Sequence, residues 1–147
     1  MVHKLDMRIY FAAPLFCEAE TTYNERVCGM LEERGHSVFL PQRDGYENLD
    51  DLLDDPDIDS VDEAKNEIFQ LDRREILNAD LLTAILDGQV PDEGVAVEIG
   101  IAHENDIPAI GLKTDQRNDP LNAMVFSPLE ELTGSPAELV EAVQHYD

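Results

Sequence analysis

Apolar residues along this chain come in two rhythms. Short runs bounded by turn residues mark strands, and stripes spaced by three and four mark helices. The strand runs are Met7 to Ala13, ended by Pro14; Ser37 to Leu40; Leu81 to Leu86, closed by Asp87-Gly88; and Ile107 to Leu112. Helical stretches alternate with them. Glu18 to Arg34 carries Val27, Met30 and Leu31 and stops at Gly35. Ser60 with Glu63 forms a capping box that opens a helix running to about Asn78. Val95, Ile99 and Ala102 fall at i, i+4 and i+7 after Gly94, the stripe a helix lays against a sheet. Ser135-Pro136 starts a terminal helix with proline at its first position. Strands alternating with helices predict an α/β fold, a Rossmann-like or flavodoxin-like parallel sheet of about five strands with helices on both faces.

The stretch from Asp80 to Glu104 organises the rest. It reads as strand, acidic loop and helix, so its loop lies at the carboxyl end of a strand, where open α/β sheets bind ligands. Glu98 falls near the helix start, one position from the apolar stripe, and should edge toward the sheet. The helix dipole and free amides there favour a carboxylate. Asp87 and Asp92 flank it on the loop. Converging carboxylates can divide labour, one ionised as nucleophile and another proton-bearing as acid. The plainer reading of the same spacing is that Glu98 complements the helix start and the aspartates form turns. Tyr10 is either a half-buried core aromatic or a hydroxyl aimed into a site. Small Ala12 and Ala13 before Pro14 let the backbone approach a ligand closely. Pro41 to Gly45 reads as a loop at the same end of the sheet, with Gln42 and Arg43 as candidate substrate contacts. Asp72, close to the buried side of its helix, is a site carboxylate or an ion-pair partner of Arg73 or Arg74.

At 147 residues the chain reads as a single domain, residues 1–147. Its net charge of -23 accompanies 43% hydrophobic residues in periodic order, which argues for a folded protein with a surface adapted to high salt. Such a polyanion excludes nucleic acid as a partner class. Residues Asn48 to Asp62 read as a solvated, mobile acidic insertion or lid. Asp55, Asp57 and Asp59 match the first ligands of a calcium loop, but Ser60 replaces the required glycine and Asn66 the closing glutamate, so no metal is expected. Cys17 and Cys28 have no metal spacing and fit a reducing compartment. Met1 to Met7 is too short and polar for a signal peptide and no run reaches membrane-spanning length, so a cytoplasmic protein without membrane partners is expected. Lys113 to Asn118 reads as polar loop, and Pro120 to Phe126 is apolar enough to pack on something. Glycine-rich dinucleotide, phosphate-loop, nucleophile-elbow and zinc motifs are absent.

Taken together, Ile9-Tyr10-Phe11-Ala12-Ala13-Pro14-Leu15-Phe16, Leu40-Pro41-Gln42, Asp72 with Asn78-Ala79-Asp80, Leu86-Asp87-Gly88 with Asp92-Glu93-Gly94, Val97-Glu98-Ile99-Gly100 with Ala102, and Asn122-Ala123-Met124 resemble the nucleoside 2-deoxyribosyltransferase family. The order and spacing of these segments carry the resemblance, and the acidic 48–62 segment departs from it. The resemblance implies exchange of the base of a 2′-deoxynucleoside for a free nucleobase through a covalent deoxyribosyl-enzyme, without a cofactor. By the same resemblance Glu98 is the nucleophile, Tyr10 orients it, and Asp72 and Asp92 bind and protonate the base. Ala12, Gln42, Asp87, Gly88, Gly94, Asn122 and Met124 are then substrate-binding. Asn122 would reach a neighbouring subunit's site in a homo-oligomer, at least a dimer. Hydrolysis of deoxynucleoside 5′-monophosphates, with Arg117 or Ser127 meeting the phosphate, and nucleotide binding without turnover are the alternatives.

Overall fold

The computed structural model describes residues 7–46 and 49–146. Met1 to Asp6 and Asn48, which entered the readings above, lie outside the described residues. Five parallel strands form the sheet, in spatial order β2-β1-β3-β4-β5: β1 (Arg8–Ala12), β2 (Ser37–Phe39), β3 (Leu81–Ile85), β4 (Ala109–Leu112) and β5 (Glu131–Thr133). The register sets Tyr10 beside Phe39 on one side and Leu82 on the other. All five residues of β3 are buried, as expected for a central strand covered on both faces.

Side chains alternate across the sheet and divide the core in two. Ile9 and Phe11 point to one face, where Val27 and Leu31 of α1 (Glu18–Glu32) meet Leu139, Val140 and Val143 of α7 (Pro136–Gln144). Tyr10 and Ala12 point to the other face. There they join Ile76 of α4 (Val61–Leu77) and Val95, Ile99 and Ala102 of α5 (Glu93–Glu104). Each buried Val, Leu or Ile among these contributes about 1.5–3 kcal/mol on leaving water.

Three local features differ from the sequence reading. Pro41 to Gly45 is not an open loop: Pro41 starts a one-turn helix, α2 (Pro41–Asp44), and the Gly45 amide closes it onto the Pro41 carbonyl at 3.0 Å. The acidic segment is not a free solvated insertion either. Its three leucines form α3 (Leu49–Leu53), which packs on α4 with Leu52 buried, while the aspartates face water. Last, β5 is a three-residue edge strand whose first two residues are exposed, so it left no apolar run to read. The Pro120 to Phe126 segment does pack, through Val125 of α6 (Ala123–Phe126), but Met124 and Phe126 remain exposed.

Candidate active site

In the order 2-1-3-4-5 the chain reverses direction of winding between β1 and β3, and a crevice opens beyond the carboxyl ends of these strands. A cleft of about 470 Å³ lies there. Its floor is Tyr10 and its walls include Asp72 and Ile76 from α4 and Asp92, Gly94, Val97 and Glu98 from α5 and the residues leading into it.

Each charged group is placed by local structure. Ser60 caps α4 by accepting from the Glu63 amide, at 3.1 Å, and the burial of Ala64 and Ile76 turns the helix so that Asp72 faces the cleft. Asp92 is the N-cap of α5, one carboxylate oxygen accepting from the Val95 amide at 3.1 Å. With the Val95, Ile99 and Ala102 stripe buried, Glu98 is carried to the sheet edge, where the Tyr10 hydroxyl donates a hydrogen bond to its Oε2. Tyr10 itself is fully buried and stacks on Phe39, ring centroids 5.6 Å apart.

These surroundings retune the carboxyl groups. Burial pushes Glu98 up to about 8; the Tyr10 hydroxyl opposes that, and the negative charges of Asp72 and Asp92 add to it. Asp72 is pushed up to about 6, by burial first and then by Glu75. Burial and the neighbouring Glu98 raise Tyr10 far above the ordinary phenol range, so it remains a donor. Between these two carboxyl values, at neutral pH, Glu98 keeps its proton while Asp72 is ionised, so the cleft holds one proton that must leave Glu98 before it can act as a carboxylate.

The structure thus brings Tyr10, Asp72, Asp92, Glu98 and Gly94 to one cleft. It does not bring the remaining candidates there. Ala12 is fully buried, and the neighbouring Ala13 lines the cleft instead. The Gln42 amide is spent inside the fold, accepting from Asn24 at 3.0 Å and donating to the Thr21 carbonyl at 3.0 Å. Arg43 is engaged by Glu32, Asp44 and the Val38 carbonyl. Asp87 and Gly88 face the loop after β4. The exposed Asn122 caps α6, accepting from the Met124 amide at 2.8 Å, and Met124 is 82% exposed. Among the described residues Asp72 makes no ion pair with Arg73 or Arg74. Sequence reasoning missed Tyr46, Lys65 and Phe69, which also line the cleft. Phe69 left one signal: it is a large apolar residue one turn before Asp72, outside the buried stripe of α4.

An open parallel sheet with a tyrosine-bound glutamate and two aspartates in its crevice defines an α/β protein with a carboxylate-lined site. The chain belongs to the nucleoside 2-deoxyribosyltransferase family, whose sequence pattern matches residues 9–132. Among solved structures it is similar to a conserved protein from Enterococcus faecalis V583, 28% identical, with a TM-score of 0.78 over 94% of this chain and 97% of that one. The 2-deoxyribosyltransferase of Bacillus psychrosaccharolyticus shares the fold at 24% identity, with a TM-score of 0.72 over 95% of this chain and 92% of that one. So does the CMP N-glycosidase of Clostridium botulinum, at 18% identity and a TM-score of 0.60 over 92% and 97%. No curated protein sequence matches the chain.

Proposed function

We propose that the protein exchanges the base of 2′-deoxyribonucleosides by way of a deoxyribosyl ester on Glu98. The observation that carries this reading is the hydrogen bond from buried Tyr10 to Glu98 at the base of a cleft the size of a small ligand. It pins one carboxylate oxygen and leaves the other to attack.

In the first half-reaction a Glu98 oxygen bonds to C1′ as the C1′–N bond breaks through an oxocarbenium-like transition state. The bond's electron pair leaves with the base, which takes a proton from an acidic carboxyl. Asp72 and Asp92 are the carboxyls at hand, and the proton that Glu98 gives up on ionising is the one that passes through them to the base. A second base then attacks C1′ from the opposite face, the ester bond returns its electrons to Glu98, and the incoming base gives its proton back to the acid. Two inversions preserve the β configuration. Every step moves only a sugar and a proton, so positioning and electrostatics suffice.

Met124 and Phe126 on α6 are exposed apolar side chains, as is Val97 on α5, the helix α6 packs against. This supports assembly with a second copy, in which Asn122 would complete a neighbour's site. Lys65 and Arg73 also line the cleft and give a second substrate class, the 5′-monophosphate, a charge partner. One assay separates the readings. With deoxyinosine plus free adenine, chromatography should show deoxyadenosine. Free deoxyribose alone, or base released only from a deoxynucleoside monophosphate, would replace transfer by hydrolysis. Unchanged substrates throughout would leave a binding protein.

A further inference from the structure

Two loops follow β3 and β4 at the carboxyl ends of these strands, and each sends an aspartate to cap the other. Asp87, just after β3, accepts from the Thr114 amide at 2.6 Å and the Asp115 amide at 3.1 Å through Oδ1, and from the Thr114 hydroxyl at 2.7 Å through Oδ2. In return Oδ2 of Asp115 accepts from the Gly88 amide at 2.9 Å. Lys113 and Arg117 hold Asp115 in place at 2.7 Å each, and the Lys113 side chain is only 6% exposed. Gly88 has φ +127, a backbone state that favours glycine, and it points its amide at Asp115. Both oxygens of Asp87 are therefore occupied by protein before any substrate arrives.

We propose that Asp87, Thr114 and Asp115 form a reciprocal clamp that positions the β3–α5 loop, and with it Asp92, against Glu98. Asp87 and Gly88 are then positioning residues and not substrate contacts. The chain has few other ways to hold this loop. Gln89 and Val90 are exposed, Pro91 lacks an amide, and among the described residues the Asp92 cap is what anchors the far end. Helix α5 is fixed by its own buried stripe and holds one Asp92 oxygen through the Val95 amide, so the clamp acts on the backbone that leads into Asp92 and on the access of water to Glu98. The cation-held Asp115, lowered to about 2 chiefly by Lys113, keeps the clamp charged across the working range.

The inference rests on the reading under Proposed function for its kinetic readout but has a second readout that does not. Asp87→Ala frees the loop without stranding the buried Lys113 ammonium. It should lower kcat for base exchange by about 10²-fold, with KM little changed, because small misplacements of a catalytic group cost that much. Asp87→Asn, which keeps an acceptor for the two amides, should restore most of the rate. Thr114→Val removes one hydroxyl and should cost several-fold. Carboxyl 13C NMR of Glu98 should show its titration midpoint falling by about one pH unit in Asp87→Ala, as Asp92 moves off and water enters. A folded Asp87→Ala protein with wild-type kcat and an unmoved Glu98 titration, or with a loss confined to KM, overturns the clamp. If Asp87→Ala does not fold, Thr114→Val decides, and no change in either readout overturns it. Should the wild type fail to turn over, the functional reading falls, and the Glu98 titration alone still judges the clamp.

Discussion

In the proposed exchange Glu98 must be ionised to attack the sugar, yet its surroundings favour the neutral acid. Its folded value near 8 lies well above the ordinary 4.5, so the native state keeps a proton that the unfolded chain has lost over the interval between them. Stability contributed by that proton is complete below the lower value and is lost as pH rises through the upper one. Glu98→Gln cannot lose it. The variant should therefore abolish exchange and, on thermal melts, gain on the order of 1–3 kcal/mol over wild type by pH 8–9, with no gain near pH 4. The neighbours should move the acid limb of kcat/KM in opposite directions. Tyr10→Phe removes a hydrogen bond that lowers Glu98, so the limb moves to higher pH and kcat falls about 10²-fold. Asp72→Asn removes a negative charge that raises Glu98, so the limb moves to lower pH. Equal shifts of the same sign in pH–rate profiles would contradict this electrostatic account.

At the scale of elements, what the sequence disclosed depended on length and periodicity. The β3–loop–α5 unit was legible because a fully apolar strand and a long helical stripe sit either side of Asp87-Gly88. The capping box at Ser60 was legible for the same reason, and Ser60→Ala should lower stability by about 1 kcal/mol in denaturant unfolding. Illegible elements were those whose apolar signal is one or two residues. Helix α3 hides three leucines among aspartates, and β5 exposes two of its three residues. Gln42 was misplaced because its contacts, Thr21 and Asn24, come from α1, and Asp87 because its partners lie 27 and 28 residues downstream. Pairings at such separations leave no periodic trace. Glu98, Asp92 and Asp72 were marked by their places on the loop and beside helical stripes, and family resemblance then gave them roles, while Tyr46 and Lys65, which line the same cleft, left no such pattern.

The whole molecule carries a net charge of -23, and Arg43, Lys113 and Arg117 are engaged in ion pairs inside its own acidic surface. Self-repulsion on this scale opposes the compact state until counter-ions screen it. The melting temperature should accordingly rise with KCl, by at least about 5 °C between about 0.1 M and about 2 M, a shift that one to two kcal/mol produces in a domain of this size. A flat or falling trend in scanning calorimetry would count against an adaptation to salt. The cleft itself mixes Lys65 and Arg73 with its carboxylates. The proposed exchange turns on one bond, from Glu98 to C1′. Protein acid-quenched during turnover of excess deoxynucleoside, then analysed by mass spectrometry intact and after digestion, should carry a single deoxyribosyl unit on the Glu98 peptide, absent from Glu98→Gln. Active wild-type protein that never shows the adduct, or shows it on another residue, would contradict the account.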